Sequence, residues 1–356
     1  MEIPAPGSTG GSAGRAMKTL SCIVLLLLAA LPASAHHSNA EYDRTSVVEL
    51  EGIIARVIWR NPHVGLELDV TNADGSMTRW VMGAADLAGT VRRGVPEGTF
   101  QVGQPVTVAG FASTRRAANM LVTNVLLPDG REILLTGFSE PRWNTTTVGG
   151  GSWVLAADVG EAGSGDIFRV WTLERARRPA FADNPPLTDF ARAGWAAYED
   201  TFDPALQCAQ LGMPRVITQT GPHPIAFERR GDDILLIGEY FDVERLIHMD
   251  GQGIPPGTPL SPLGYSIGRW EDDVLVIETS RIDYPFFDIA GLAGIPQTES
   301  VFITERYFLN DDGTELHMDF SVSDPGTFTE ALLVEDYATW KWRPEIQVQP
   351  YRCETD

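Results

Sequence analysis

The second half of the chain is a series of short segments rich in β-branched and aromatic residues, separated by turn signals. In the clearest example, residues 300–309 and 315–322 flank Asn310-Asp311-Asp312-Gly313, and such a pair around a glycine-containing turn predicts a β-hairpin. Residues 224–342 contain about seven or eight segments of this kind. They predict a long antiparallel meander, which restricts this half of the chain to a barrel or a sandwich.

The first half, from Val47 to Leu135, also predicts short strands, with Ala84–Arg93 as its helical segment. About five strands and one helix in about 100 residues are typical of a small barrel of the oligonucleotide-binding-fold type. We therefore predict an all-β protein with a five-stranded N-terminal barrel and a larger antiparallel domain. For the larger domain we favour a lipocalin-like barrel over a sandwich, and a barrel of about eight strands can hold one small ligand.

Glycine- and proline-rich residues separate the two predicted barrels. This region has some strand content at 167–173 and a helix over 187–198 that Thr188 caps. The predicted organisation is a signal peptide at 1–35, a small barrel at 36–137, a linker with a short helix at 138–204 and a larger barrel at 205–356.

The N-terminus carries the pattern of a secretory signal peptide. Met17-Lys18 precedes an apolar run over 19–31, and Ala33-Ser34-Ala35 follows as a small-residue cleavage site. The run is short for a membrane span, and a buried N-terminal helix would leave Ala-Ser-Ala unexplained. We expect synthesis to begin at Met17 and cleavage to leave His36 first. The mature protein is then periplasmic or secreted, without stable membrane insertion.

Acidic residues outnumber basic ones in the composition. The net charge of the full chain is −21, and loss of Glu2, Arg15 and Lys18 with the signal peptide changes it to −22. So acidic a chain repels nucleic acid and anionic lipid, and we expect neither as a partner. A small molecule is the expected partner.

The cysteines fit an oxidising compartment. Cys22 lies in the expected signal peptide, and only Cys208 and Cys353 remain after cleavage. An even number of cysteines in such a compartment predicts a disulfide, which would tie the final residues to the start of the second domain. The alternative is two unpaired buried thiols.

Two sets of motifs resemble exported bacterial families of unknown function. "AHHSNAEYD", "VELEGIIARVIWRNPHVGLELDV" and "LPDGREI" are similar to a family with an A-H-H-S start followed by N-P-H, over roughly residues 35–135. "GMPR", "DGQGIP", "LGYSIGRWEDDVLVIETS", "ITERYF" and "YRCE" occur in the order of a second family, over roughly 205–356. Neither resemblance implies a reaction, so both contribute only boundaries and candidate positions.

The chain departs from the second family's pattern at two positions. Tyr265 stands where relatives usually have histidine, and Gln297 lies in a segment where relatives show P-H-S-E. If those histidines form a metal or acid–base site in relatives, that site is altered in this chain.

Titratable residues in the larger barrel are the candidates for acid–base chemistry. By strand alternation Glu305 shares one face with Glu299, and Arg306 lies on the other; alternation does not decide which face points inward. An inward glutamate has a raised pKa and can act as a general acid or base, whereas an outward one is a surface ion-pairing group. The candidate catalytic residues are Glu299, Tyr265, Asp250 and Glu305.

Aromatic and polar residues of the same domain can line a pocket, although aromatic residues more often form plain core. A histidine near a strand end is likewise more often structural than functional. The candidate ligand-binding residues are Tyr240, His248, Trp270, Phe287 and Gln297.

Two adjacent histidines, His36 and His37, follow the expected cleavage site. A histidine in first position offers its α-amine and imidazole as a chelate, and a second imidazole completes a three-nitrogen site suited to copper. This arrangement resembles the histidine brace of copper monooxygenases and copper-transfer proteins. His36 and His63, the latter in a rigid Asn61-Pro62-His63 loop, are the candidate metal ligands. The alternative is a frayed terminus with His63 in an ordinary turn.

No nucleophile elbow, phosphate loop, dinucleotide fingerprint or H-E-x-x-H motif occurs, so we expect no organic cofactor. The favoured hypothesis is an exported isomerase, lyase or hydrolase that acts by acid–base chemistry on a small hydrophobic or aromatic molecule. The alternative is a periplasmic small-ligand-binding or copper-binding protein without catalysis. A pocket holding several carboxylates and Tyr265 would favour the enzyme, and an apolar pocket would favour the binding protein.

Overall fold

The computed structural model describes Met1 and residues 42–143, 146–152, 160, 165–199, 202–218, 222–289 and 292–354. The predicted cleavage site and the adjacent His36 and His37 lie outside the described residues. Strands make up most of the regular structure, as the predicted all-β class requires. None of the helices in the described part has both the length and the apolar character needed to cross a membrane.

A five-stranded closed barrel forms the N-terminal side of the described chain. Its strands pair in the order β1–β2–β3–β5–β4 and back to β1, with β3 and β5 parallel. A short helix, α1 (Leu87–Arg92), lies between β3 and β4, which is the arrangement of the oligonucleotide-binding fold and confirms the prediction. The strands are β1 (Val48–Ile58), β2 (Gly65–Thr71), β3 (Met77–Gly83), β4 (Pro105–Ala112) and β5 (Asn119–Leu126), and β6 (Glu132–Leu134) and β7 (Thr147–Gly149) extend the sheet from β5.

Side-chain alternation determines which residues of these strands form the core of the small barrel. In β2, Leu66 and Leu68 are fully buried, and they pack with residues such as Ile54 and Val108 from neighbouring strands. The helix α1 begins where Asp86 accepts a hydrogen bond from the backbone N–H of Gly89, so a side-chain cap fixes its start.

The second closed sheet is a nine-stranded barrel, which confirms the predicted barrel and excludes the sandwich. Its strands pair in the order β10–β11–β12–β13–β16–β17–β18–β8–β9 and close back to β10; β11 and β12 are parallel and the other pairs antiparallel. The strands are β8 (Val170–Ala176), β9 (Ile225–Arg230), β10 (Asp233–Gly238), β11 (Val243–His248), β12 (Tyr265–Glu271), β13 (Val274–Ser280), β16 (Phe302–Leu309), β17 (Glu315–Ser323) and β18 (Leu332–Trp342).

Two features of this barrel differ from a simple meander. The strand β8 comes from the region predicted as a linker and inserts between β18 and β9. The parallel pair is joined by residues 249–264, a long connection rich in glycine and proline, instead of the tight turn that an antiparallel hairpin has. A separate hairpin of β14 (Phe286–Ile289) and β15 (Leu292–Pro296) packs beside helix α2 (Asp189–Ala196), which Thr188 caps as predicted, and helix α3 (Arg215–Thr218).

The C-terminal residues 344–354, which we call the C-terminal strap, connect both barrels. Cys353 forms the predicted disulfide with Cys208. In the small barrel, the backbone N–H of Asn61 donates to the carbonyl of Arg352. In the large barrel, the backbone N–H of Tyr351 donates to Asp242. The strap therefore fixes the two barrels against each other.

Candidate functional site

A buried ion pair lies inside the large barrel. Glu305 is fully buried and accepts hydrogen bonds from both terminal nitrogens of Arg245, at 2.7 and 3.0 Å, and from the Tyr307 hydroxyl at 3.0 Å. Arg245 also donates to Ser266 and Thr279. Burial alone would lower the pKa of Arg245, but Glu305 outweighs burial and raises it. The inward face of β16 is therefore the face that carries Glu305.

The other predicted catalytic residues lie outside this interior. Tyr265 stacks on His248, with ring centroids 4.4 Å apart, on the outer wall, since its neighbour Ser266 points inward. Desolvation, together with the negative charges of Asp250 and Asp233, raises the pKa of Tyr265. Glu299 is exposed in the turn before β16. Glu299 and Tyr265 therefore do not share the barrel interior: Glu299 precedes β16 and is exposed, and Tyr265 faces outward.

The predicted ligand-binding residues are distributed over several places. Phe287 is core and packs edge-on against Phe328 at 5.0 Å. The Gln297 side-chain amide donates to the carbonyls of Met213 and Tyr284. Tyr240 lies between the barrels and His248 on the outer wall, so only Trp270 lines a cavity of the large barrel.

That cavity, which we call the barrel-mouth cavity, has a volume of about 890 Å³. Four parts of the chain build it at one end of the barrel: residues 165–168 before β8, the end of β9, the β12–β13 turn and the β16–β17 turn. Trp270 is 45% exposed, and Phe308 and Phe168 are half-buried. Buried Tyr307 also lines the cavity and joins it to the interior ion pair.

The charged residues of the barrel-mouth cavity are mostly acidic. The guanidinium of Arg229 lies 3.7 Å from the centroid of the Phe168 ring and forms an ion pair with Asp166 at 3.0 Å. Asp312 accepts hydrogen bonds from the backbone and hydroxyl of Thr314, which hold the β16–β17 turn. The carboxylates that line the cavity are Asp166, Asp272, Asp273, Asp311 and Asp312.

A second polar cluster, which the sequence did not indicate, lies at the junction of the barrels. Glu239 is fully buried and accepts hydrogen bonds from Arg92 of the small barrel, from His223 Nδ1 at 3.0 Å and from the Gln349 backbone N–H at 2.8 Å. Burial alone would raise the pKa of Glu239, but Arg92 and His223 outweigh burial and lower it. Tyr240 stacks on His223 at 5.3 Å.

The neighbouring Arg215 belongs to the same junction. It pairs with Asp203 at 2.6 Å and with Asp288 at 3.3 Å, and burial raises the pKa of Asp288 although Arg215 opposes it. Three motifs of the sequence resemblance meet here: "GMPR" supplies Arg215, "YRCE" supplies Tyr351, and the N-P-H loop supplies Asn61, whose amide donates to the Tyr351 carbonyl. These three motifs are the sequence signal that could have directed attention to the junction.

Replacing Glu239 with glutamine should lower the free energy of unfolding by about 1.5–3 kcal/mol at pH 7, since charge-assisted hydrogen bonds are lost. Because the folded-state pKa lies below the ordinary value of 4.5, the carboxylate stabilises the protein above that pH and this contribution is lost as pH falls through the folded pKa. The difference between the two proteins should therefore shrink in acid. Urea unfolding across this range checks it, with exposed Glu299→Gln as control. A difference independent of pH would contradict the assignment.

Of the two predicted metal ligands, the structure describes His63. His63 is exposed and lines a cavity of about 300 Å³ together with Tyr42 and Asn61, while His36 lies outside the described residues. Within the described ranges, no group of three or more histidine, cysteine, aspartate and glutamate side chains is arranged to hold a metal ion. Copper binding by His36 and His63 stays a prediction.

Comparison with known proteins gives one partial match to a family model and no reaction. The model of a family of unknown function, DUF6152, matches residues 24–120, which span β1 to β4 and the helix α1. This fits the resemblance to families of unknown function noted for the first half. No curated protein and no solved structure matches the chain.

Proposed function

We propose that this protein is an exported binding protein that takes one small, partly aromatic molecule into the barrel-mouth cavity. The observation that carries the proposal is the cavity itself: its volume of about 890 Å³ falls in the range of small-ligand sites, and exposed Trp270 and half-buried Phe168 supply aromatic walls. Export is supported by the signal-peptide pattern and by the disulfide, since disulfides persist in oxidising compartments.

The enzyme hypothesis has weaker support. Arg245 and Tyr307 occupy both carboxylate oxygens of Glu305, so that group is committed to an ion pair rather than to proton transfer. Tyr265 lies on the outer wall and Asp250 in the exposed loop after β11, and neither lines the cavity. The carboxylates of the cavity come from turns and are not joined to Tyr265. A binding role therefore fits this arrangement better than acid–base catalysis.

Binding of a neutral fluorescent naphthylamine dye tests the proposal. We expect the dye to bind the mature protein, and Trp270→Ala to weaken its affinity about tenfold or more, because the indole is a main apolar wall of the cavity. Phe302→Ala is the matched control, since Phe302 is similarly exposed, at 41%, but does not line the cavity. Equal dye affinity in wild type and Trp270→Ala, with unchanged thermal unfolding of both variants, would reject the cavity as the binding site.

A further inference from the structure

The barrel-mouth cavity carries an uneven charge. Five aspartates line it, whereas the arginines at its wall are engaged: Arg229 pairs with Asp166, and Arg169 donates to the Gly313 carbonyl. Asp272, Asp273 and Asp311 make no side-chain hydrogen bond or ion pair with any residue in the described part of the chain. Their negative charges act across a concave space with aromatic walls, which raises the local concentration of cations.

One side of the cavity shows how a cation fits these walls. The Arg229 guanidinium lies 3.7 Å from the centre of the Phe168 ring, and the Asp166 carboxylate pairs with the same guanidinium. The positive charge thus meets an aromatic face and a carboxylate together, which is a favourable arrangement for a cation.

The part of the cavity around Trp270 has the same two components, an aromatic ring and carboxylates, and none of the described lining residues there is cationic. Trp270 is 45% exposed. It lies near the end of β12, just before the β12–β13 turn that carries Asp272 and Asp273. Buried Tyr307 of β16 adds a further aromatic side chain to the cavity lining. We infer that the ligand of this cavity is an amphipathic organic cation, an ammonium or guanidinium group on an aromatic or aliphatic body. This inference rests on the proposed function and specifies its ligand class.

Three probes of matched shape separate charge from shape: 3-phenylpropyl-trimethylammonium, its uncharged tert-butyl analogue, and 5-phenylpentanoate. Titration calorimetry, or displacement of the neutral dye for the poorly soluble analogue, should give the ammonium an affinity about tenfold or more above that of the uncharged probe. The carboxylate should bind more weakly than either. The preference for the ammonium should decrease as the salt concentration rises from about 0.01 M to about 1 M.

The double variant Asp272→Asn/Asp273→Asn tests the carboxylates directly. Asparagine suits the positive φ of 52° at position 272, so the turn should be kept. We expect this variant to weaken binding of the ammonium about fivefold or more and to leave the uncharged probe unchanged. The control Glu299→Gln/Glu330→Gln removes two exposed carboxylates away from the cavity lining and should leave both affinities as in the wild type.

The outcomes separate the two proposals. If the ammonium and the uncharged probe bind equally, and both depend on Trp270, the cavity is a binding site but the cationic ligand class is wrong. If the control variant weakens the ammonium as much as the cavity variant does, the preference comes from net charge and the inference is also wrong. If no probe and no dye binds in a way that depends on Trp270, the proposed function fails, and the ligand class with it.

Discussion

Replacing Glu305 with alanine should lower the free energy of unfolding by about 3–5 kcal/mol, one of the two largest effects we expect in this protein. The substitution leaves the Arg245 guanidinium inside the large barrel, 2% exposed and without its carboxylate partner. An unpaired buried charge is costly because the barrel interior cannot replace the lost hydration. Urea unfolding of the mature protein at neutral pH measures the change.

Two further variants separate this effect from ordinary loss of a side chain. The double variant Arg245→Met/Glu305→Leu removes both charges and should regain most of the lost stability, since apolar residues of similar volume often replace a buried pair without cost. Glu299→Ala, in the exposed turn that precedes the same strand, should change stability by less than about 0.5 kcal/mol. A Glu305→Ala protein as stable as the wild type would show that the pair is not formed.

Loss of the disulfide between Cys208 and Cys353 should have an effect of similar size, about 2–5 kcal/mol. The two cysteines are 145 positions apart, and a crosslink that closes so long a loop strongly restricts the unfolded chain. The double variant Cys208→Ser/Cys353→Ser and the reduced wild type should therefore be destabilised to the same extent.

Thiol counting provides the independent check of this disulfide. The denatured, unreduced mature protein should contain no titratable thiol, because Cys208 and Cys353 are bonded and Cys22 lies in the expected signal peptide. Two titratable thiols per chain, or equal stability of the oxidised and reduced proteins, would contradict the expectation.

Much of the fold was predictable because hairpin signals are local. Asn310-Asp311-Asp312-Gly313 between two alternating segments gives β16 and β17 directly, and similar short turns give the pairs β9–β10 and β12–β13. The position of β8 was not predictable, because its partners β18 and β9 are distant in the chain and β8 joins them through no short turn. The parallel pair of β11 and β12 lacks a local signal for the same reason.

The candidate sites were less predictable, since each depends on partners far away in the sequence. Alternation places Glu305 on one face of its strand but does not show which face points inward. The inward face is identified by the ion pair with Arg245, which lies 60 positions earlier in the chain. Glu239 directly follows β10 and resembles a surface residue in sequence, yet it is buried and pairs with Arg92 of the other barrel. The barrel-mouth cavity is formed by turns that are far apart in the chain. They come together only when the barrel closes, so the sequence does not show that they share a cavity.

The connectivity of the large barrel and of the C-terminal strap also sets an order in which the parts of this protein can assemble. The small barrel uses residues close together in the chain, so its strands can pair before the rest of the chain is available. In contrast, β8 must wait for β18, about 160 residues later, before the large barrel can close. The junction between the barrels then waits for Gln349 and Tyr351, whose backbone groups bond to Glu239 and Asp242. A chain that ends before these residues would have a finished small barrel and an open sheet with unpaired strand edges. This incomplete form is the one most exposed to aggregation and proteolysis.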